Sequence, residues 1–297
     1  MYALKRLSQV FRSSEEVPFD DSSRIVLFSD VHRGDGSWAD DFTRNQNIYY
    51  ATLTHYYNEN YTYIELGDGD ELWKNKTLSE IVNVHSDVFE LLSKFYNEGR
   101  LLCIFGNHDM VKKNNKYLRS NSYQYFNEHQ KNQISLFEKI RCNEGVILKH
   151  TFTGDKIFLV HGHQADYFND KMWKLSRFLV RYLWKPLELL GVNDPTSTAK
   201  NYKKKERIEE IFTQWVKKEH QMLIAGHTHR PVFSEVGPAY FNDGSCVHPS
   251  SITGIEIVNG YIILVKWKVE TKGNGLLFVG REELAEPTKL KDYFKNA

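Results

Sequence analysis

The sequence predicts an α/β fold built on a mostly parallel sheet, and two observations carry that prediction. From Arg24 to Val160, short apolar runs alternate with polar stretches able to form helices. Strand, helix, strand in succession requires crossover connections, which leave neighbouring strands parallel. The second observation is where the chemically active residues fall. Five strings, Asp30-Val31-His32, Gly67-Asp68, Gly106-Asn107-His108-Asp109, His161 in Val160-His161-Gly162-His163, and Gly226-His227-Thr228-His229, each follow an apolar run. Ligands of open α/β sheets gather beyond the carboxyl ends of the strands. A chain that repeatedly closes a buried strand on Asp, Asn or His is therefore collecting metal ligands along one sheet edge.

Taken in order, Met1 to Phe11 mixes Tyr2, Leu4, Leu7, Val10 and Phe11 with Lys5 and Arg6. That is too short and interrupted for a signal-peptide core and reads as a short helix packed on its own domain, with a membrane-surface contact as the alternative. Ile25 to Phe28, Leu101 to Phe105, Ile157 to Val160 and Met222 to Ala225 read as strands, and Tyr63 to Leu66 is nearly as apolar. Phe42 to Asn58 and Leu78 to Asn97 read as helices, the second because Ile81, Val84, Val88, Leu91, Leu92 and Phe95 follow the 3.6-residue period. After His161 the rhythm breaks. Tyr167 to Leu190 is dense in aromatic and leucine side chains with Lys171, Lys174, Arg177 and Arg181 among them, Gly191 to Thr198 reads as a turn, and Lys200 to Glu219 is helical again. These features predict an αα-hairpin lid inserted at residues 165–220 within a single domain spanning 1–297. From Pro238 onward the pattern is strand-like, with Asn259-Gly260 as a hairpin turn between Ile255 to Val258 and Tyr261 to Val269.

Composition narrows the class. A chain of 297 residues with 41% hydrophobic and 26% charged residues can bury one large soluble core. Its formal charge of +1 gives no general electrostatic case for nucleic acid. No apolar stretch approaches the roughly 18 residues of a membrane span. Cys103, Cys142 and Cys246 are odd in number and widely spaced, which predicts neither a disulfide framework nor a zinc site. Cys103 reads as a buried free thiol and the compartment as reducing, hence cytoplasmic.

The strings differ in weight. Asp30 and His32 are two residues apart, so on an extended chain both point the same way. His227 and His229 repeat that spacing. Gly106-Asn107-His108-Asp109 arises by chance in such a chain about once in a thousand. Asn107 offers a neutral carbonyl oxygen, His108 an imidazole beside it, and Asp109 is placed to orient that ring by accepting its other N–H. Asp70 and Glu71 are candidate acceptors for ligating histidines, and Tyr240 to Ser245 is either a loop returning to the site or a plain turn.

In this order the five strings resemble the signature of the calcineurin-like metallophosphoesterase superfamily, over roughly Arg24 to Ser245. The resemblance implies a four-layer α/β/β/α sandwich and a pair of divalent metal ions. One ion would be held by Asp30, His32, Asp68 and His229, the other by Asp68, Asn107, His161 and His227, with Asp68 bridging. Mixed nitrogen and oxygen ligation suits Mn²⁺, with Fe or Zn²⁺ as alternatives. Two such ions clamp a phosphoryl group and lower the pKa of a bridging water for in-line attack on a phosphodiester, pyrophosphate or phosphomonoester. His108, outside that shell and paired with Asp109, is the candidate for stabilising the transition state or protonating the leaving oxygen.

Within the superfamily the chain is most similar to UDP-2,3-diacylglucosamine hydrolases, which share the lid and the string Gly226 to Pro231. That similarity implies a nucleotide-sugar or lipid-linked substrate and peripheral membrane contact. Those enzymes carry Arg where this chain has His108 and Asp where it has His163. Both departures bear on the substrate and not on the phosphoester chemistry. The lid's aromatic residues read as simple packing or, with the basic residues between them, as a surface meeting phosphate or anionic lipid and covering an acyl chain. Competing functions are an interaction module that has kept the fold, a nuclease, or a protein phosphatase.

Overall fold

The computed structural model describes residues 2–120, 123–127, 131–189, 201–235 and 237–294. From the N-terminus, α1 (Tyr2–Ser13) leads to β1 (Glu15–Phe19) and β2 (Arg24–Phe28). The chain then alternates through α2 (Gln46–Asn58), β3 (Thr62–Leu66), α3 (Leu78–Val84), α4 (Ser86–Asn97) and β4 (Leu101–Ile104). A short helix α5 (Asn115–Ser120) and the hairpin β5 (Gln124–Asn127) and β6 (Asn132–Ser135) precede β7 (Cys142–Asn143), β8 (Gly145–His150) and β9 (Lys156–Val160). The helical insertion holds α6 (Tyr167–Asp170), α7 (Trp173–Leu179), a π-helical turn over Val180–Trp184, α8 (Lys185–Leu189) and α9 (Tyr202–Glu219). It is followed by β10 (Met222–Ala225), β11 (Tyr240–Asn242), β12 (Ser251–Val258), β13 (Tyr261–Thr271), β14 (Leu277–Glu283), β15 (Thr288–Lys289) and α10 (Leu290–Phe294).

Among the described residues, eight strands form one sheet in the order β14-β13-β12-β2-β3-β4-β7, with β15 beside β13, and five form another in the order β1-β8-β9-β10-β11. β2, β3, β4 and β7 are parallel, while β12 to β14 add an antiparallel meander. In the smaller sheet β9, β10 and β11 are parallel. The period-2 alternation of strand side chains sorts residues between two cores. Ile25, Leu27, Ile64 and Leu66 join Leu148 and Phe158 of the smaller sheet and Phe212 and Trp215 of α9 in one core. Val26, Phe28 and Tyr63 point the other way, against Leu53 and Tyr56 of α2 and Phe89 and Leu92 of α4. The layers are thus α2 to α4, the larger sheet, the smaller sheet, then α1 with α9, the α/β/β/α sandwich. Leu7 and Val10 anchor α1 in its own core as the sequence predicts. Asn259 and Gly260 both take positive φ, 53° and 74°, as a two-residue hairpin turn requires.

Three expectations need correction. The helix expected over Leu78 to Asn97 is two helices broken at His85, whose φ of −111° lies outside the helical region. Its buried ring is held at 3.1 Å from Asp40 Oδ2 and 3.2 Å from Gln46 Oε1, so tertiary pairing overrides the periodic pattern. The helix expected from Phe42 begins at Gln46. Cys103 is not a free thiol: β4 and β7 set it opposite Cys142 in register, and the two form a disulfide, leaving Cys246 as the free, buried cysteine among the described residues. The reading of a reducing compartment thereby loses its basis in free thiols. The expected lid turn over Gly191 to Thr198 lies outside the described residues, as does Lys200. Among the described residues no helix is long and apolar enough to cross a membrane.

Candidate metal centre

β2, β3, β4, β9 and β10 each deliver a candidate residue just beyond their carboxyl ends, and backbone bonds tie the loops together. Asp30 N–H donates to Gly67 O (3.1 Å), His32 N–H to Asp68 O (2.9 Å) and Gly226 N–H to His161 O (2.9 Å). Side chains add His108 N–H to Asp68 Oδ1 and His227 N–H to Asp30 Oδ2, both 2.8 Å. The convergence of Asp30 with His32 does not come from an extended chain. Asp30, His32, Asp68, His227 and His229 all have φ between 50° and 70°. A left-handed residue that is not glycine costs about 1–2 kcal/mol, and such strain concentrates at functional sites. The glycines of the strings serve close approach: a Cβ on Gly106 would collide with the Asp68 carboxylate, and one on Gly226 with Ser29 and Asp30.

The side chains gather in two adjoining groups. In the first, Asp30 Oδ1 lies 2.9 Å from His229 Nε2 and 3.6 Å from His32 Nε2, and the two imidazole Nε2 atoms face each other at 3.4 Å. In the second, Asp68 Oδ2 lies 3.1 Å from His161 Nε2, with His227 alongside. Asp68 stands between them, its Oδ2 also 3.9 Å from His32 Nε2. His227 and His229, two residues apart, thus serve opposite groups. Asp30 Oδ1, Asn107 Oδ1, His161 Nε2 and His227 Nε2 are buried with no properly formed hydrogen bond. Buried polar atoms are ordinarily paired, so these unsatisfied lone pairs from four of the five loops fit divalent cations. The donors are nitrogen and oxygen without thiolate, as the sequence implies.

Around these groups a second layer fixes orientation. His161 Nδ1 donates to Leu66 O (3.0 Å), which turns Nε2 toward Asp68. Glu71 accepts from both His32 Nδ1 (3.0 Å) and His108 Nδ1 (2.8 Å). His108 also stacks on Trp73, centroids 4.2 Å apart, and meets His32 edge-on at 4.6 Å. Asp109 therefore does not orient His108 as the sequence suggested. Its Oδ1 accepts from Gly106 N–H (2.7 Å) and its Oδ2 pairs with Lys112 (2.7 Å), because the chain turns after His108 and carries the carboxylate beneath the loop. Asp70 likewise touches no histidine ligand. It pairs with Arg33 (2.8 Å) and Lys112 (2.7 Å), both fully buried. The Tyr240 to Ser245 segment does return to the site: Asn242 Nδ2 donates to Gly226 O (2.7 Å), and Asp243 meets Ser29 Oγ at 2.6 Å.

The sequence model of the calcineurin-like phosphoesterase family matches residues 23–231, well over half of the chain. The chain belongs to that family. Among solved structures it is similar to Vps29 of Chaetomium thermophilum (11% identity over 91% of this chain and 98% of that one, TM-score 0.40). It is also similar to a conserved protein of Streptococcus pneumoniae TIGR4 described as a predicted phosphoesterase (12% identity, 88% and 97% covered, TM-score 0.36). Curated proteins give no match.

The electrostatics favour positive charge at His32 and His161, whereas burial, with His161 beside it, lowers the pKa of His227. Burial opposes the charge on His161, yet Asp68 and Asp30 outweigh it and push its pKa up to about 9. Burial is likewise overcome at His32, held well above its ordinary value by Asp30 and Glu71. Burial would raise the Asp30 and Glu71 carboxyls, but neighbouring histidines hold both well below their usual range. His163 differs. Burial, then His161 and His227, push its pKa well down, and both ring nitrogens lack a partner. It sits with Glu144 and Asp170, outside the two groups above. Trp73, Ser29, Arg33 and Lys112 escaped sequence reading because their roles depend on contacts between loops, and no local signal marks them.

Proposed function

We propose that this phosphoesterase hydrolyses a phosphodiester or pyrophosphate bond, with phosphomonoesters as lesser substrates, at a centre of two divalent ions. Asp30, His32, Asp68 and His229 would hold one ion; Asp68, Asn107, His161 and His227 would hold the other. Mn²⁺ is the expected metal, with Fe or Zn²⁺ as alternatives. The observation that carries this reading is that Asp30 Oδ1, Asn107 Oδ1, His161 Nε2 and His227 Nε2, buried without a well-formed hydrogen bond, are brought in by four loops beside two adjoining groups of candidate ligands. When bound, the ions supply Lewis acidity and a water of lowered pKa for in-line displacement at phosphorus.

The chain's own residues do the rest. Glu71, accepting from Nδ1 of His32 and of His108, leaves the Nε2 atoms of both rings for other partners. His108, partly exposed while the groups behind it are buried, is the residue that donates to a phosphoryl or leaving oxygen. Asp109 acts through Gly106 and Lys112, holding the loop that carries Asn107 and His108. The shared string Gly226 to Pro231 and the helical insertion support a nucleotide-sugar or lipid-linked substrate, and with it work at a membrane surface within a single lidded domain.

The test is hydrolysis of bis-p-nitrophenyl phosphate with Mn²⁺. Asp68→Ala is expected to abolish it and His108→Ala to lower kcat at least about a hundredfold. Normal turnover in Asp68→Ala would overturn the mechanism. Fewer than about one tightly held ion per chain after chelator-free purification would favour an interaction module instead.

A further inference from the structure

The lid arm from α7 to α8 is inside out. A surface helix ordinarily turns its apolar face to the core and its charges to water. Here Leu175, Phe178, Leu179, Tyr182 and Leu183, at the i, i+3, i+4, i+7, i+8 positions of one stripe, are 40–58% exposed. Arg181 and Lys185 point inward. Arg181 donates from Nε to Trp73 O (2.9 Å) and from Nη2 to Leu72 O (2.6 Å) and Asn75 O (2.8 Å). Lys185 Nζ binds Asp35 Oδ2 (2.7 Å) and Asn75 Oδ1 (2.9 Å). These bonds fix the arm's rotation, so the apolar stripe is held outward by the body of the protein. Met172, Tyr167 and Phe168 extend it toward the N-terminal end. Contiguous exposed apolar surface on this scale marks an interaction site.

We propose that this stripe docks on an anionic lipid bilayer. Charge selects that occupant: Lys171 to Leu187 holds no acidic side chain, and while Arg181 and Lys185 are bonded inward, Lys171 and Lys174 stand exposed beside the stripe. An apolar stripe edged by lysine and carrying tyrosine fits the headgroup boundary of such a surface. The aromatic residues Phe178 and Tyr182, in the segment the sequence offered as cover for an acyl chain, thus face outward. The proposal deepens the membrane element of the proposed function but stands on exposure and charge, independently of the metals.

The experiment is flotation of the full chain with phosphatidylcholine vesicles containing or lacking phosphatidylglycerol. Wild type is expected to float with the anionic vesicles and to be released by salt. Phe178→Ser with Leu179→Ser is expected to lower the bound-to-free ratio at least about tenfold, and Lys174→Glu about fivefold. Both variants should turn over a soluble diester at the wild-type rate, which shows that they are folded. Asp68→Ala, inactive under the proposed function, should float like wild type, so either reading can fail while the other stands. Absence of wild-type flotation, or equal flotation of the double variant, overturns the proposal. So does a wild-type dimer in sedimentation that the double variant dissolves, since the stripe would then meet a second copy.

Discussion

The loops beneath the candidate metal centre and the outward arm of the helical insertion treat side chains in opposite ways. Under the centre, Arg33 and Lys112 are each 1% exposed, yet every one of their charges is met by Glu65, Asp70 or Asp109. On the helical arm, leucine, phenylalanine and tyrosine face water while Arg181 donates to backbone carbonyls and Lys185 to the Asp35 carboxylate. The contrast separates geometry from contact. The buried network over-determines loops whose backbones are strained at five candidate ligands, and the helical arm holds a surface that no other described residue covers.

Removing one charge from the floor breaks the balance most severely. Lys112→Met leaves Asp109 and Asp70 buried without their shared cation, and is expected to destabilise the protein by about 3–5 kcal/mol in urea unfolding. The lid double variant, Phe178→Ser with Leu179→Ser, removes only exposed side chains and should stay within about 1 kcal/mol of wild type. Equal losses in the two would erase the distinction drawn between the regions.

A smaller change sharpens it. Glu71→Gln keeps the size of the side chain but weakens its hold on the Nδ1 atoms of His32 and His108. Metal affinity or kcat is expected to fall about 10- to 100-fold, with little change in vesicle flotation. A variant that keeps both affinity and kcat would show that Glu71 is a bystander to the two rings.

How much of this was legible differs between the regions for the same physical reason. The strands, their parallel core and the five ligand-bearing strings follow from local pattern, since an apolar run of strand length ending on Asp, Asn or His is visible residue by residue; the choice of seven candidate ligands within those strings is what the family resemblance implies. The floor was not, since Arg33 finds Asp70 and Glu65 across other loops, and Asp109 was misassigned because its neighbour in sequence, His108, is not its neighbour in space. Cys103 was misread on the same account, its partner Cys142 lying 39 residues away on an adjacent strand. On the lid, helical periodicity revealed the stripe but could not say which way it faces. That depends on Arg181 and Lys185 finding Leu72, Trp73, Asn75 and Asp35.

The smallest expected effect is a pH response that belongs to the centre alone. His161 ordinarily titrates near 6.5 and, against the effect of burial, is pushed up to about 9 in the metal-free fold by the charges of Asp68 and Asp30. A group whose folded pKa is raised contributes stability that is complete below 6.5 and is lost as pH rises through about 9. The carboxyls of Asp30 and Asp68 are depressed, so they stay ionised in this window and add no slope. Metal-free protein is therefore expected to lose about 2–4 °C of Tm between pH 6.5 and 9. With Mn²⁺ the sign reverses: His161 must lose its proton to act as a ligand, so the Tm gained on adding metal should grow across the same window. The lid double variant should trace both curves unchanged, since none of its substituted side chains touches His161. A metal-free Tm that rises from pH 6.5 to 9, or a metal increment that ignores pH, would mean that the proton on His161 does not stand where the ion is proposed to bind.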